Sequence, residues 1–174
     1  RKSPALFFIF TEGKVTEKQY FEKNTFGEHP RKDKKFPKIN KGFRKGQDPE
    51  SMKKWVTNTL SAESIKKNDF VWIVIDKDDN NPEDLRILND WCNQKGYRLA
   101  LSNPLFEYWF AIHFQFIDTA FNKEDIYNCL TKHLGCKYDK NDDYNEKLSK
   151  HTDAAIKNAK NLRKDIERDR KSVV

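Results

Sequence analysis

Apolar residues fall along this chain in two kinds of pattern. The first is the short unbroken run. Leu6–Phe10 (LFFIF) and Phe70–Ile75 (FVWIVI) have no polar side, which predicts strands covered on both faces. Tyr97–Ser102 predicts a further strand. Phe36–Asn40 predicts another, which Pro37 would confine to a sheet edge. The second pattern is helical spacing. A helix is expected over Thr16–Asn24, capped by Thr16, with Tyr20 and Phe21 facing inward. Asp48-Pro49-Glu50 combines a cap, a first-turn proline and an acid at the positive dipole end. The helix it opens should run to about Lys66 and bury Met52, Trp55, Val56 and Leu60. Pro82 opens a helix ending near Lys95, with Gly96 just beyond it. After Asn103-Pro104 comes Leu105–Phe114, apolar on nearly every side. Helices near Lys123–His133 and Thr152–Arg170 follow, the last with a stripe of Ile156, Ala159, Leu162 and Ile166. Asn141–Glu146 reads as a polar loop.

Strands thus alternate with helices as far as Phe114, which implies βαβ units and an α/β fold. The expected architecture is a Rossmann-like, mainly parallel four-stranded sheet with flanking helices and a C-terminal helical extension. All 174 residues are expected to form one domain, with the α/β core over about 1–116 and the extension over about 117–174.

Composition narrows the class. Thirteen Phe, six Tyr and four Trp supply enough large core side chains for a folded domain, despite a mean hydropathy of −0.97. Thirty-four Lys and Arg against 27 Asp and Glu leave a charge of +7, which favours an anionic partner. No apolar stretch approaches the roughly 18 residues of a membrane span, so no membrane partner is expected. The basic, then apolar, segment Arg1–Phe10 is stopped by Thr11-Glu12-Gly13 too soon for a signal peptide. Three cysteines, Cys92, Cys129 and Cys136, without a C-x-x-C pair suit a reduced, cytoplasmic protein. There is no P-loop and no G-x-G-x-x-G, so the chain should not itself bind ATP through either.

Active sites in open α/β sheets form beyond the carboxyl ends of the strands. Three strand ends here carry acids. The first ends at Thr11-Glu12-Gly13 and another at Asp76-Lys77-Asp78-Asp79. The last ends at Asn103-Pro104, with Glu107 one turn into the next helix. If the strands are parallel, Glu12, Asp76, Asp78, Asp79 and Glu107 gather at one edge. Such carboxylates stay ionised together only around a positive charge, and oxygen ligands favour Mg²⁺ or Mn²⁺. Asp76 and Asp78 alternate with Lys77, so in an extended segment both reach the same side. A metal there could activate water and stabilise the leaving oxygen of a phosphodiester. The plainer alternative is that Asp78, Asp79 or Asn81 caps the helix opening at Pro82. Glu107 is a costly buried acid unless coordinated or bonded to free backbone N–H groups. His113 lies on the Phe106/Phe110/Phe114 stripe, as a hydrogen-bonded core histidine or as a proton shuttle.

Two more features carry chemistry. Between Arg31 and Gln47, the basic stretch with Lys34, Lys35, Lys38, Lys41, Arg44 and Lys45 includes Phe36 and Phe43. Phosphate contacts with stacking would suit nucleic acid; the alternative is a solvated loop. Cys129, His133 and Cys136 fall at C-x₃-H-x₂-C. They could start a zinc site with His151, though buried thiols and a surface histidine are the commoner arrangement.

Three ordered motifs make the chain recognisable. FIFTEGKVTEKQYF, VWIVIDKDD and SNPLFEYWFAIHF resemble the RloB family, proteins similar to TOPRIM-type nucleases. The family pattern is EG-x-x-TE-x-x-YF, then D-x-D, then SNP-x-FE-x-W-x-x-x-HF. Gly46-Gln47-Asp48-Pro49 and Tyr138-x-Lys140 resemble further family elements. The resemblance implies a TOPRIM-like fold in which Glu12, Asp76 and Asp78 bind Mg²⁺. It also implies a nuclease effector of abortive-infection phage defence, encoded beside an ATPase partner, with tRNA among its candidate targets. Two other readings stand beside it: a non-catalytic nucleic-acid- or partner-binding module on the same scaffold, and a nucleotidyl-transfer enzyme.

Overall fold

A computed structural model describes residues 5–23, 38–39, 48–77 and 80–172. The chain forms two compact units, Arg1–Leu105 and Phe106–Val174.

The first unit is built on parallel strands. β1 (Phe7–Thr11), β3 (Phe70–Asp76) and β4 (Arg98–Ser102) lie side by side, and the two-residue β2 (Lys38–Ile39) pairs with the far side of β1, in the order β2-β1-β3-β4. The register runs from Phe7 opposite Phe70 to Thr11 opposite Val74, and from Trp72 opposite Arg98 to Asp76 opposite Ser102. All carboxyl ends therefore share one edge. Alternation along β1 and β3 sends Phe8, Phe10, Val71, Ile73 and Ile75 to one face. There they pack with Met52, Val56 and Leu60 of α2 (Pro49–Ser61) and with Leu85, Leu88 and Cys92 of α3 (Pro82–Lys95). Burying each such aliphatic side chain is worth about 1.5–3 kcal/mol relative to exposing it. The helix α1 (Thr16–Lys23) follows β1.

Local chemistry sets the helix ends. The Asp48 carboxylate accepts the Ser51 N–H at 2.9 Å, and Asn81 accepts the Glu83 N–H at 2.8 Å, each ahead of a first-turn proline. Gly96 closes α3 at φ 69°, a conformation that favours glycine. The helix α2 stops at Ser61 rather than near Lys66. Leu60 is its last core position, and Ile65 is exposed. The Asp69 carboxylate then accepts the N–H groups of Lys66 and Leu6, both at 2.8 Å, which turns the chain into β3.

The second unit is helical: α4 (Glu107–Phe114), α5 (Lys123–Leu134), α6 (Asn145–Ser149) and α7 (Thr152–Ser172). The helix α4, attached by its apolar pattern to the α/β core, packs here against α5 and α7. Ile126 and Leu130 of α5, Ala111 of α4 and Ala155 of α7 are fully buried. Two readings of the pattern need correction. Asn141–Glu146 is not wholly a loop, because Tyr144 and Leu148 bury one turn apart and wind α6. The stripe of α7 is rotated, with Ala155 buried and Ile156 40% exposed. A small residue lets the helices approach, and Asn158 Nδ2 then donates to the Ile112 carbonyl at 2.8 Å. No helix among the described residues is long and apolar enough to cross a membrane.

Candidate functional site

The carboxyl edge of the sheet is assembled by the register itself. Thr11 ends β1 and is fully buried. The next residue, Glu12, continues the ladder by donating its N–H to the Val74 carbonyl at 3.0 Å. Its side chain reaches across to β3, where Oε2 accepts the Asp76 N–H at 2.9 Å. Two acids 64 residues apart in sequence are thus joined at adjacent strand ends. A backbone N–H to a carboxylate is a charge-assisted bond, stronger than a neutral one. Beyond Asp76, Lys77 donates its N–H to the Ser102 carbonyl at 2.7 Å, and the Asn80 side chain donates to the Asp76 carbonyl at 2.9 Å. The first extends the β3–β4 ladder by one residue, and the second ties Asn80 to the carbonyl of the acid.

The turn after Glu12 is held just as closely. Thr11 Oγ1 donates to the Gly13 carbonyl at 2.9 Å, and the Gly13 N–H donates to Glu17 Oε1 at 3.0 Å. Glu17 and Thr16, in the first turn of α1, are both buried. Beside this edge an open depression is floored by Leu85, Leu99 and Leu101 and flanked by Lys77 and Arg86. Arg86 is held by Glu83 and Asp90 on its own helix.

Glu12 and Asp76 are therefore brought together as expected of the sheet edge. Asp78, Asp79, Lys34, Lys35, Lys41, Arg44 and Lys45 lie outside the described residues, and Lys38 enters only through the backbone of β2. Among the described residues no three His, Cys, Asp or Glu side chains group to hold a metal. The donors present at the edge, Glu12 and Asp76, are hard oxygen ligands of the kind that suit Mg²⁺ or Mn²⁺ rather than a thiophilic metal.

Glu107 and His113 belong to the second unit. Glu107 is 7% exposed and sits in the first turn of α4, where the helix dipole favours an acid. Its Oε1 accepts the Tyr138 hydroxyl at 3.0 Å, and Tyr138 packs on Tyr127 and Tyr144. His113 is 1% exposed, with Nδ1 2.8 Å from the Trp109 carbonyl one turn earlier and its ring against the Trp109 ring. Burial pushes its pKa down to about 4, with His151 adding in the same direction, so the ring is neutral near pH 7. Six residues along a helix is about 240° of rotation, so α4 places Glu107 and His113 on different sides.

Of the possible zinc ligands, Cys129 is buried and Cys136 exposed. His133 stacks on Phe114 at 5.3 Å, with Nε2 3.1 Å from Gln115 Oε1. Burial raises the Cys129 pKa, which favours the thiol over the thiolate that a metal takes.

Two residues at these sites had no assigned role in the pattern, Glu17 and Tyr138. Both stand in the family-like motifs, yet only folding shows that each is buried against another acid's surroundings. Compared with protein-family models, residues 7–173 match the one described as RloB-like protein. No curated protein and no solved structure gives a match.

Proposed function

The chain belongs to the RloB-like family, and on that premise we propose that it is a metal-dependent nuclease on a four-stranded, TOPRIM-like scaffold. It would hydrolyse phosphodiester bonds of RNA or DNA in the cytoplasm, as the effector of an abortive-infection system with an ATPase partner. The observation that carries this reading is the placing of Glu12 and Asp76 at neighbouring carboxyl ends of a parallel sheet, where the Glu12 carboxylate accepts the Asp76 backbone N–H at 2.9 Å.

Glu12, Asp76 and Asp78 are the residues that would hold Mg²⁺ or Mn²⁺. Such an ion would supply water activation and positive charge for phosphodiester hydrolysis. The chain's own contribution is placement. The ladder bond from Glu12 to Val74 and the Asp76 N–H fix one ligand against the strand that carries the next. Lys34, Lys35, Lys38, Lys41, Arg44 and Lys45 would contact the phosphates of the substrate, in keeping with a charge of +7. Glu107 stays in the reading as the acid of the family's third motif, held by a neutral phenol. A proton shuttle at neutral pH needs a group that titrates there and reaches solvent. His113 meets neither requirement, so we leave it outside the catalytic set.

The test incubates purified protein with labelled total tRNA, single-stranded DNA and duplex DNA, in Mg²⁺, Mn²⁺ or EDTA, beside folded Glu12→Gln. Cleavage that needs both metal and Glu12 is expected. Tight, metal-independent binding without cleavage, unchanged by Glu12→Gln, would replace the nuclease with a binding module. A need for nucleoside triphosphate would point to nucleotidyl transfer. Silence in all arms calls for the same assay with the ATPase partner added.

A further inference from the structure

The first unit buries a further acid whose bond reaches the turn that carries Glu12. We infer that Glu17 is a positioning residue for Glu12, acting through the Gly13 N–H. The role matters to catalysis only if Glu12 is a ligand as read above.

Three consecutive residues of this turn are each fixed by a hydrogen bond. The Thr11 hydroxyl donates to the Gly13 carbonyl at 2.9 Å, the Glu12 N–H to the Val74 carbonyl at 3.0 Å, and the Gly13 N–H to Glu17 Oε1 at 3.0 Å. The first closes the turn on itself. The second ties it to β3, and the third ties it to α1. With the backbone held on both sides of Glu12, its carboxylate has a fixed origin from which to meet the Asp76 N–H.

Gly13 and Glu17 are matched to each other by space. A Cβ built on Gly13 would overlap the Glu17 carboxylate. Among the described residues the positive-φ glycines are Gly96 and Gly135, so a left-handed backbone is not what calls for glycine at Gly13. Glu17 is only 5% exposed, and a buried carboxylate is costly unless hydrogen-bonded. Glycine leaves room for that carboxylate to lie over the turn and receive its N–H. Such a bond needs an acceptor oxygen at the right reach, which glutamine also offers. A metal ligand, in contrast, needs the charge.

The test uses the ¹⁵N-labelled full chain, with the Asp76 amide as reporter, because that N–H donates to Glu12 64 residues away. Mn²⁺ alone serves as the ligand probe. Glu17→Ala and Gly13→Ala should each shift the Asp76 amide resonance and speed its hydrogen exchange. Each should also lower Mn²⁺ affinity about tenfold or more, as loss of a supporting group does. Glu17→Gln should leave both readings near wild type, whereas Glu12→Gln loses the metal. An Asp76 amide unmoved by Glu17→Ala overturns the inference. So does a Glu17→Gln variant that loses Mn²⁺ as Glu12→Gln does while the Asp76 amide stays in place, since Glu17 would then act by its charge. If Glu17→Ala does not fold, Gly13→Ala, which keeps every acid, gives the same two readings. If the wild type binds no Mn²⁺, the metal reading of the edge falls, and the Asp76 amide alone decides the positioning role.

Discussion

Glu12 and Glu107 each stand where the chain turns into a helix, and each is held by a donor far along the sequence. The donors differ in kind. Glu12 accepts a backbone N–H from Asp76 at 2.9 Å and is half-buried at a strand edge. Glu107 accepts a side-chain hydroxyl from Tyr138 at 3.0 Å and is 7% exposed inside a helical unit. A backbone donor is set by strand register and survives any substitution at Asp76 other than proline. A side-chain donor disappears with one substitution. The first arrangement frees the side chains of a strand edge for chemistry. The second commits two side chains to each other, so the acid becomes part of the packing. Substitutions at Glu12 should therefore move activity with little effect on stability, and substitutions around Glu107 should move stability.

The largest effect expected is on catalysis. Glu12→Gln keeps an acceptor for the Asp76 N–H but removes the charge. The proposed metal-dependent cleavage should fall by roughly 100-fold or more, the scale of losing electrostatic stabilisation at a reacting centre. The unfolding free energy should move by less than about 1 kcal/mol. Parallel cleavage assays and urea titrations check the two halves. A variant that loses several kcal/mol would erase the contrast between the two glutamates.

Next comes the acid response of the second unit. The His113 pKa is about 4 in the folded protein against an ordinary 6.5, chiefly through burial. Between those values the unfolded chain binds a proton that the folded chain does not, so stability falls as pH drops from 6.5 towards 4. The loss amounts to about 3 kcal/mol at 1.36 kcal/mol per unit. Hydrogen exchange as a function of pH should show α4 losing protection in that window. His113→Phe should flatten the response. A slope unchanged in a folded His113→Phe variant would place the acid sensitivity elsewhere.

Tyr138→Phe removes the donor and leaves Glu107 buried, at a cost of about 1–3 kcal/mol. Glu107→Gln retains an acceptor for the Tyr138 hydroxyl and should cost less. Chemical denaturation of both variants gives the order directly. The reverse order would mean that the charge of Glu107, rather than its hydrogen bond, matters to the unit.

The features that were legible in the sequence are those written in short stretches. The apolar runs of β1 and β3, the Asn81-Pro82 start and Gly96 stop of α3, and the acids at the carboxyl ends of β1 and β3 are all local patterns. Helix bounds were less so. The entry into β3 after α2 uses Asp69 reaching back to Leu6, a contact 63 residues long that no periodicity records. The turn of α6 hangs on two apolar residues in a polar run, too few to give a period. The roles of Glu17 and Tyr138 needed the fold, because a buried acid with a donor and a surface acid look alike in a string of letters. The rotation of α7 was hidden for a related reason. Alanine at 155 and isoleucine at 156 both read as apolar, and only helix approach chooses the smaller.

The smallest expected effect compares how the two units start a helix. Asn122 forms a reciprocal box: its Oδ1 accepts the Asp125 N–H at 3.0 Å, and Asp125 Oδ2 accepts the Asn122 N–H at 3.0 Å. Asn81 accepts only the Glu83 N–H in its capping role, and Pro82 beside it already lacks one of the N–H groups that a helix start leaves open. Asn122→Ala should therefore cost about 1 kcal/mol and Asn81→Ala about half that. The box adds a second expectation. Alanine at 122 keeps its own N–H, so Asp125 can still reach back, and the double variant Asn122→Ala/Asp125→Ala should cost more than Asn122→Ala alone. Urea titration of the four proteins, Asp125→Ala included, closes a double-mutant cycle. Coupling of a few tenths of a kcal/mol between residues 122 and 125 supports the box. Equal costs for Asn81→Ala and Asn122→Ala, with no coupling, would mean that solvent replaces either cap equally well at these exposed helix starts.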